Sequence, residues 1–544
     1  MKKIRRLQFI ALMTTTMALL ACNQGEYFNP YEYNEKKYEN LEVTEIESQY
    51  AKYNYKDLDK YGIYTYIGYD LGYSPSIGNV KYLVVPIWFT DSDEFILEPY
   101  REFVRSDINT AYFGTSEEVG WESVKTYYEK DSFGNLHIDG VTTDWYECGK
   151  PSSDFYKDGN MSKTAQLLYD ASVWAKTQVE DPTEFDADKD GYLDGIVFIY
   201  GCPDSQTLAY YTGKSTNEYS NLWGYTSHLM DRSLKKKTDP GINTFFWASY
   251  DFMYSYGEDA MERTGSCPCG YGNTRNLNID PHTFIHEAGH MFGLPDYYDY
   301  GYSSSPALAY SMQDHNVGGH DPYSRFSLGW SKAIVPTETC RVTLNSMEES
   351  GEFILLSPSY EDSPFDEYIA LELFAPDGLN EFSMTTYYSG ACTGIKNPGI
   401  RMWHVDSRLY SVTKMNYYTG QITEGHVTSK PTDGRVIEAT SNSSPSSGRS
   451  TDLAGKSSYN QLQVIRRDYK TYDPQEGQKK PDNRDGWALV QEDLFQPGDF
   501  FTTEIYQSQF VEKTKLNSGK YLNWAIHFED FNEDGSMNIT LIKR

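Results

Sequence analysis

The sequence predicts an α/β layer over residues 79–335, followed by an all-β, sandwich-like region over 336–544. Three observations predict it. Two strongly apolar, β-branched runs, VKYLVVPIWF (80–89) and GIVFIYG (195–201), read as buried strands. Segments with helical spacing alternate with them, the signature of a layered α/β arrangement. After Trp330 the pattern changes to short β-like runs separated by turn-rich stretches. At 544 residues the chain exceeds one ordinary core, so two or more domains are expected.

Composition narrows the class. Hydrophobic residues make up 39% and aromatics 15%, enough apolar material to exclude a disordered chain. Asp and Glu number 78 against 48 Lys and Arg, a formal net charge of −30. Such a surface repels nucleic acid phosphates and anionic lipid heads, so no nucleic acid partner is expected.

In chain order, the first element is an export signal. Lys2, Lys3, Arg5 and Arg6 precede a mostly apolar stretch over 7–20. It closes on Leu19-Leu20-Ala21-Cys22, which resembles a bacterial lipobox. That resemblance implies acylation of Cys22 and removal of the residues before it; a plain signal with a chance cysteine is the alternative. No other apolar run is long enough to span a bilayer, so any membrane attachment is through this lipid. The expected location is the cell envelope or outer-membrane surface of a bacterium, or release from it. Residues 23–78, rich in Tyr, Glu, Asn and Lys, read as a tether and N-terminal segment, with an inhibitory pro-region as one use for it.

Helices are expected around 122–132 and over 162–177, where Leu167, Leu168, Ala171, Trp174 and Ala175 recur at helical spacing and Ser162 is placed to cap. Beyond 335 the runs EFILLS, EYIALELFA, IRMWHVD, WALVQED, NWAIHF and MNITLIK read as strands. Cysteines 148, 202, 267, 269, 340 and 392 are at no zinc-finger spacing, leaving disulfides or free buried thiols.

The most informative stretch is HEAGHMFGLPDYYD, 286–299. Asp280-Pro281 reads as a helix start, with Asp as N-cap and Pro first in the helix. Phe284, Ile285, Ala288, Met291 and Phe292 then form an apolar face. His286 and His290, four apart, project one turn apart from one side of that helix, the spacing with which two imidazoles grip one zinc ion. Glu287 sits beside the first histidine, able to reach a water without ligating. Gly293 suits the left-handed position after a helix end, and Pro295 stops the helix, so the chain can turn back and present Asp296 as a third ligand.

His286-Glu287-x-x-His290-x-x-Gly293-x-x-Asp296 resembles the extended zinc motif of metzincin-type peptidases. Gly293-Leu294-Pro295-Asp296-x-Tyr298-Asp299 more narrowly resembles the immune inhibitor A family of secreted bacterial metallopeptidases. Residues 111–146, PYSRFSLGW (322–330) and IRMWHVD (400–406) are similar to further segments of that family, so the likeness spans roughly 80–410. It implies a metzincin-like catalytic domain over 79–335, zinc held by His286, His290 and Asp296, Glu287 as general base, and Met312 in a tight turn beneath the metal. Asp299 is a nearby competitor for the third ligand. The chemistry implied is hydrolysis of peptide bonds, with Glu287 taking a proton from water and passing it to the leaving amine. An oxyanion donor is also needed, and Tyr310, His315 and His320 lie in the right region without one standing out.

A second metal is suggested by FDADKDGYLDG (185–195). Asp186, Asp188, Asp190, the Tyr192 carbonyl and Asp194 fit the ligand spacing of a calcium loop, with Gly191 at the sharp turn. Val197 stands where an EF-hand has Glu, so a complete EF-hand is excluded, and an acidic Asp-Gly turn is the alternative. The weaker likeness in 530–538 is expected to be a hairpin turn. The function expected is that of an exported, lipid-anchored zinc endopeptidase acting on extracellular proteins or peptides, glycoproteins among them. The rival is a surface adhesin or glycan-binding protein on an inactive peptidase scaffold, against which the intact Glu287 argues.

Overall fold

The computed structural model describes residues 44–45, 50–53, 72–157, 162–229, 234–254, 279–301, 305–385, 395–415, 422–427, 436–443, 459–468 and 488–544. The export signal, Cys22 and cysteines 267, 269 and 392 lie outside the described residues.

The N-terminal layer is a mixed sheet. Its order is Leu136–Thr142, Gly78–Trp88, Gly195–Tyr200, Thr244–Ser249 and Tyr225–His228, with the short Tyr146–Glu147 pairing the far end of Gly78–Trp88. All pairs are parallel except the last, where Tyr225–His228 runs antiparallel as the edge. The two apolar runs are continuous because both faces of the sheet are covered. Val80, Tyr82, Val84, Val197 and Ile199 enter one core with helices Arg101–Phe113, Val124–Asp131 and His282–Met291. Leu83, Val85, Ile87, Ile196 and Phe198 enter another, against helix Ser162–Lys176. Each fully buried aliphatic side chain of this kind contributes roughly 1.5–3 kcal/mol.

Several local expectations shift. The third helix begins at Ser162 itself, which is therefore a helical residue and not its cap. The histidine helix begins at His282, with Pro281 at the capping position, because Asp280 turns its carboxylate onto His282, accepting from the His282 backbone N–H at 3.3 Å and pairing with its ring. The described part of WALVQED is not a strand. Leu489 N–H donates to Leu308 O at 2.8 Å, away from any sheet ladder, and Gln491–Asp493 forms a 3-10 turn. Residues 530–538 do close a hairpin, with Asn532 N–H donating to Ser536 O at 2.8 Å between antiparallel strands Trp524–Phe531 and Met537–Lys543.

Beyond residue 331 two five-stranded sheets follow. One holds Leu462–Ile465, Gly399–Asp406, Glu367–Phe374, Glu352–Leu356 and Lys332–Ile334 in that order; the other holds Thr44–Glu45, Cys340–Leu344, Met537–Lys543, Trp524–Phe531 and Phe500–Phe501. Side chains from both sheets, including Ile369, Leu371, Ile526 and Ile539, share one core. The opposite face of the first sheet, through Tyr368, Ala370 and Phe374, packs against Tyr297, Tyr310 and Phe326. Cys148, Cys202 and Cys340 are free thiols. Among the described residues no helix is long and apolar enough to cross a membrane.

A Cβ at Gly195 would sit 2.1 Å from the ring of the fully buried Tyr82. Gly195→Ala is therefore expected to destabilise by about 1–3 kcal/mol, read as a lower urea midpoint with an unchanged slope.

Candidate metal centre

His286 and His290 lie on one side of the buried helix His282–Met291. The helix ends at Phe292, and Gly293 follows at φ +91°, the left-handed turn that swings the chain back. That reversal brings Asp296 to the histidines: Asp296 Oδ1 lies 3.0 Å from His286 Nε2 and 3.2 Å from His290 Nε2. The two Nε2 atoms are 3.1 Å apart. Asp299 does not join them; its Oδ1 accepts from Gly301 N–H at 2.8 Å.

Both rings are oriented from behind. His286 Nδ1 lies 2.7 Å from Met312 O, and His290 Nδ1 lies 2.6 Å from Leu294 O. A carbonyl only accepts, so each Nδ1 carries the hydrogen and each Nε2 turns a lone pair inward. Met312 is itself fully buried, so its backbone orients a ligand while its side chain packs in the core.

The electrostatics ask for positive charge at the centre. Burial pulls the His290 imidazole down, but Asp296 outweighs this and raises it to about 9. Burial pushes Asp296 up, yet the two imidazoles hold it well below the ordinary carboxylate range. Donors 2.0–2.1 Å from a tetrahedral centre are separated by about 3.3 Å, close to the spacings here. Two imidazoles and a carboxylate of this geometry fit zinc and leave a fourth position open.

Glu287 is buried beside this set, at 7% exposure, and its Oε2 has no hydrogen-bond partner among the described residues. Its backbone is fixed: Thr226 Oγ1, on the antiparallel edge strand, donates to Glu287 O at 2.9 Å, and Tyr128 OH donates to Ile285 O at 2.6 Å.

Residues 90–195 match the family profile described as "Immune inhibitor A peptidase M6, catalytic domain". Over that segment the chain is similar to the catalytic domain of immune inhibitor A-type metallopeptidases. The family implies a zinc-dependent metalloendopeptidase with protein substrates. The matched segment ends before the histidine helix, and it includes the whole 111–146 stretch and the acidic loop. No curated protein matches the chain.

In that acidic loop, one carboxylate oxygen each from Asp186, Asp188 and Asp194 lie within 4.8 Å of one another. Asp190 is not in this set; its Oδ1 accepts from Tyr192 N–H at 2.7 Å, which folds the loop tip back. Asp186 Oδ1 is buried with no partner among the described residues. Burial, with help from the neighbouring carboxylates, pushes Asp194 up to about 8.

Of the three oxyanion candidates, none faces the donor set. The Tyr310 hydroxyl reaches Asn380 O at 3.4 Å, and His315 Nδ1 pairs with Asp314 Oδ1 at 2.6 Å. His320 is buried between Asp131 Oδ2 at 2.6 Å and Gln313 Oε1 at 3.1 Å. Sequence reasoning missed the residues that do surround the peptidase centre. Tyr300 OH donates to Asp296 Oδ2 at 2.5 Å, and Tyr298 packs on the Tyr300 ring at 5.5 Å. Gln313 Nε2 lies 3.4 Å from His290 Nδ1 in packing contact, and only glycine at 289 admits this side chain, since a Cβ there would meet Gln313 Oε1 at 2.1 Å.

Beneath Gln313 lies a buried ion cluster. Arg325 bonds Asp131 Oδ1 through Nε at 3.0 Å and Nη2 at 2.7 Å, and Glu348 Oε1 at 2.7 Å. Burial alone would raise Asp131, but Arg325 and His320 hold it well below the usual carboxylate range. Its folded pKa being depressed, its stabilising contribution is present above the unfolded value near 4 and disappears as pH falls through the folded one. Asp131→Asn leaves a buried guanidinium half-compensated; a loss of about 3–5 kcal/mol is expected. Thermal melts should show this gap at neutral pH and a smaller one in acid.

Proposed function

We propose that this peptidase is exported, anchored through a lipid on Cys22, and cleaves extracellular proteins with Glu287 as general base and His286, His290 and Asp296 as the zinc ligands. The reading of the site rests on one observation above all: three inward-facing donor atoms 3.0–3.2 Å apart, with both ring N–H groups turned outward onto carbonyls. The signal-like N-terminus ending in Ala21-Cys22 supports export and anchoring. In this reading the catalytic unit spans 79–335, with Lys332–Ile334 at its end lending an edge strand to the first five-stranded sheet, and the shared core of the two five-stranded sheets supports a sandwich-like domain after it.

Zinc, when bound, supplies a Lewis acid that acidifies water and polarises the scissile carbonyl. The chain supplies the rest. Glu287, one residue from His286 and buried with an unpartnered oxygen, receives the proton of the attacking water. As the C–N bond breaks, Glu287 hands that proton to the leaving amine. Tyr128 and Thr226 fix the helix carbonyls and so prevent the base from drifting out of reach.

Glu287→Ala should retain stoichiometric zinc and lose about 10²–10⁴-fold in kcat. The assay is casein cleavage beside zinc content by atomic absorption. Normal turnover in that variant would refute the mechanism, and zinc lost with the activity would point to a ligand role for Glu287.

We further propose a structural calcium ion in the 186–194 loop. The unpartnered buried oxygen of Asp186 and the convergence of Asp188 and Asp194 support it. Dialysis into calcium-free buffer that contains zinc should lower the melting temperature relative to the same buffer with millimolar calcium, and an unmoved melt would leave only an acidic turn.

A further inference from the structure

The chemistry above needs a hydrogen-bond donor for the carbonyl oxygen as it becomes anionic; Tyr310 and His320 are hydrogen-bonded elsewhere, and His315 holds Asp314 through Nδ1. We propose that Tyr300 is that donor, a catalytic residue that leaves Asp296 to hydrogen-bond the substrate's carbonyl oxygen as charge builds on it. This rests on the peptidase reading given above.

Three features point to Tyr300, which shares Asp296 with the Tyr298 side chain. Its hydroxyl is already at the site, 2.5 Å from Asp296 Oδ2, the oxygen of that carboxylate turned away from the histidines. The residue is 56% exposed, unusual for an aromatic whose polar tip sits in a buried cluster. Its side chain meets Asp296, Ser443 and the Tyr298 ring at 5.5 Å, and its exposed side is open to a pivot. Its backbone, by contrast, is held: Tyr300 N–H donates to Ser443 O at 3.1 Å, and Asn442 Nδ2 donates to Tyr297 O at 3.0 Å. A fixed Cα with a swinging side chain is what an exchange between two acceptors requires.

The exchange conserves protons. Tyr300 keeps its hydroxyl hydrogen throughout and only changes acceptor, from Asp296 Oδ2 to the carbonyl oxygen. The C–O bond forms from water, the water's proton goes to Glu287, and the same proton leaves with the amine when the C–N bond breaks. The rival role for Tyr300 is purely supportive: a hydrogen bond that orients Asp296 as a ligand. The two roles predict opposite patterns, because an outer hydrogen bond to a metal ligand acts on metal affinity.

The test compares Tyr300→Phe and Tyr298→Phe with the wild type in three measurements: zinc dissociation constant, kcat and KM on a quenched fluorescent peptide at saturating zinc, and affinity for a phosphinic peptide that mimics the tetrahedral oxyanion. For Tyr300→Phe the expected result is a zinc dissociation constant within about threefold of wild type. The expected kcat is lower by about 10²–10³-fold with KM little changed, and phosphinate binding should weaken in parallel. Zinc affinity lowered by about 10–100-fold, with wild-type kcat once zinc saturates, would overturn the assignment in favour of the supportive role. A loss carried by Tyr298→Phe instead would overturn it too. Wild-type protein that holds zinc but cleaves nothing would sink the peptidase reading and this proposal together. An active wild type with an unimpaired Tyr300→Phe would sink this proposal alone.

Discussion

His286 Nε2, His290 Nε2 and Asp296 Oδ1 crowd within 3.0–3.2 Å of one another, and lone pairs at that spacing repel unless positive charge sits among them. Much of the surrounding structure serves to hold them there. The helix brings the two imidazoles to one side, and the left-handed Gly293 returns the carboxylate to meet them. Carbonyls of Met312 and Leu294 take the outer ring hydrogens and so decide which nitrogen faces inward. Without a metal ion, the raised His290 and depressed Asp296 show the same demand answered by a proton. A cation that takes the proton's place relieves the repulsion, and ligand deprotonation couples metal affinity to pH.

The C-terminal region is part of this enforcement. Arg401, buried in the sheet beyond the catalytic layer, bonds Glu372 Oε1 at 2.7 Å and Tyr310 O at 2.9 Å, which ties the chain just before Met312 to that sheet. Tyr297 and Tyr310 enter a core formed with Tyr368, Ala370 and Phe374. Asn442 and Ser443 hold the loop that follows Asp296. The segments on either side of the donor set therefore rest on the β region. The N-terminal segment is woven in as well: Ser74 N–H donates to Met291 O at 2.9 Å at the end of the histidine helix, while Ala51 N–H donates to Ala333 O at 2.8 Å. At these points it touches the end of the histidine helix and the β region.

What was legible in the sequence follows the range of the interactions. The histidine spacing, the glycine turn and Asp296 are local, all within eleven residues, so the donor set could be read before any fold was known. The apolar strands were legible because burial on both faces writes itself as an unbroken hydrophobic run. Asp131, Gln313, His320 and Arg325 were not, because Asp131 meets its partners across more than 180 residues of chain and nothing near it in sequence marks the pairing. The histidine helix start was misplaced by one residue because Asp280 bonds the His282 ring as well as its backbone, a competition propensity rules do not include. Tyr298 and Tyr300 sat in plain view beside Asp296, but tyrosine is so frequent here, 48 in all, that its presence carried little information until the distance was known.

In the proposed mechanism a base and a metal site share one short helix. Neighbouring helical residues are turned about 100° from one another, so the residue after His286 lies close to the donor set without pointing into it. Its Oε2 is buried and has no partner among the described residues, an arrangement that destabilises a fold by about 1–3 kcal/mol. Packing gives no compensation for such an oxygen, whereas the carboxylates of Asp131 and Glu372 are ion-paired with Arg325 and Arg401. The helix backbone around it is meanwhile tied at two carbonyls, by Tyr128 and Thr226. An acceptor kept dry and unpaired beside three converging donor atoms suits a partner that arrives with the reaction, and in the proposed mechanism that partner is a water giving up its proton.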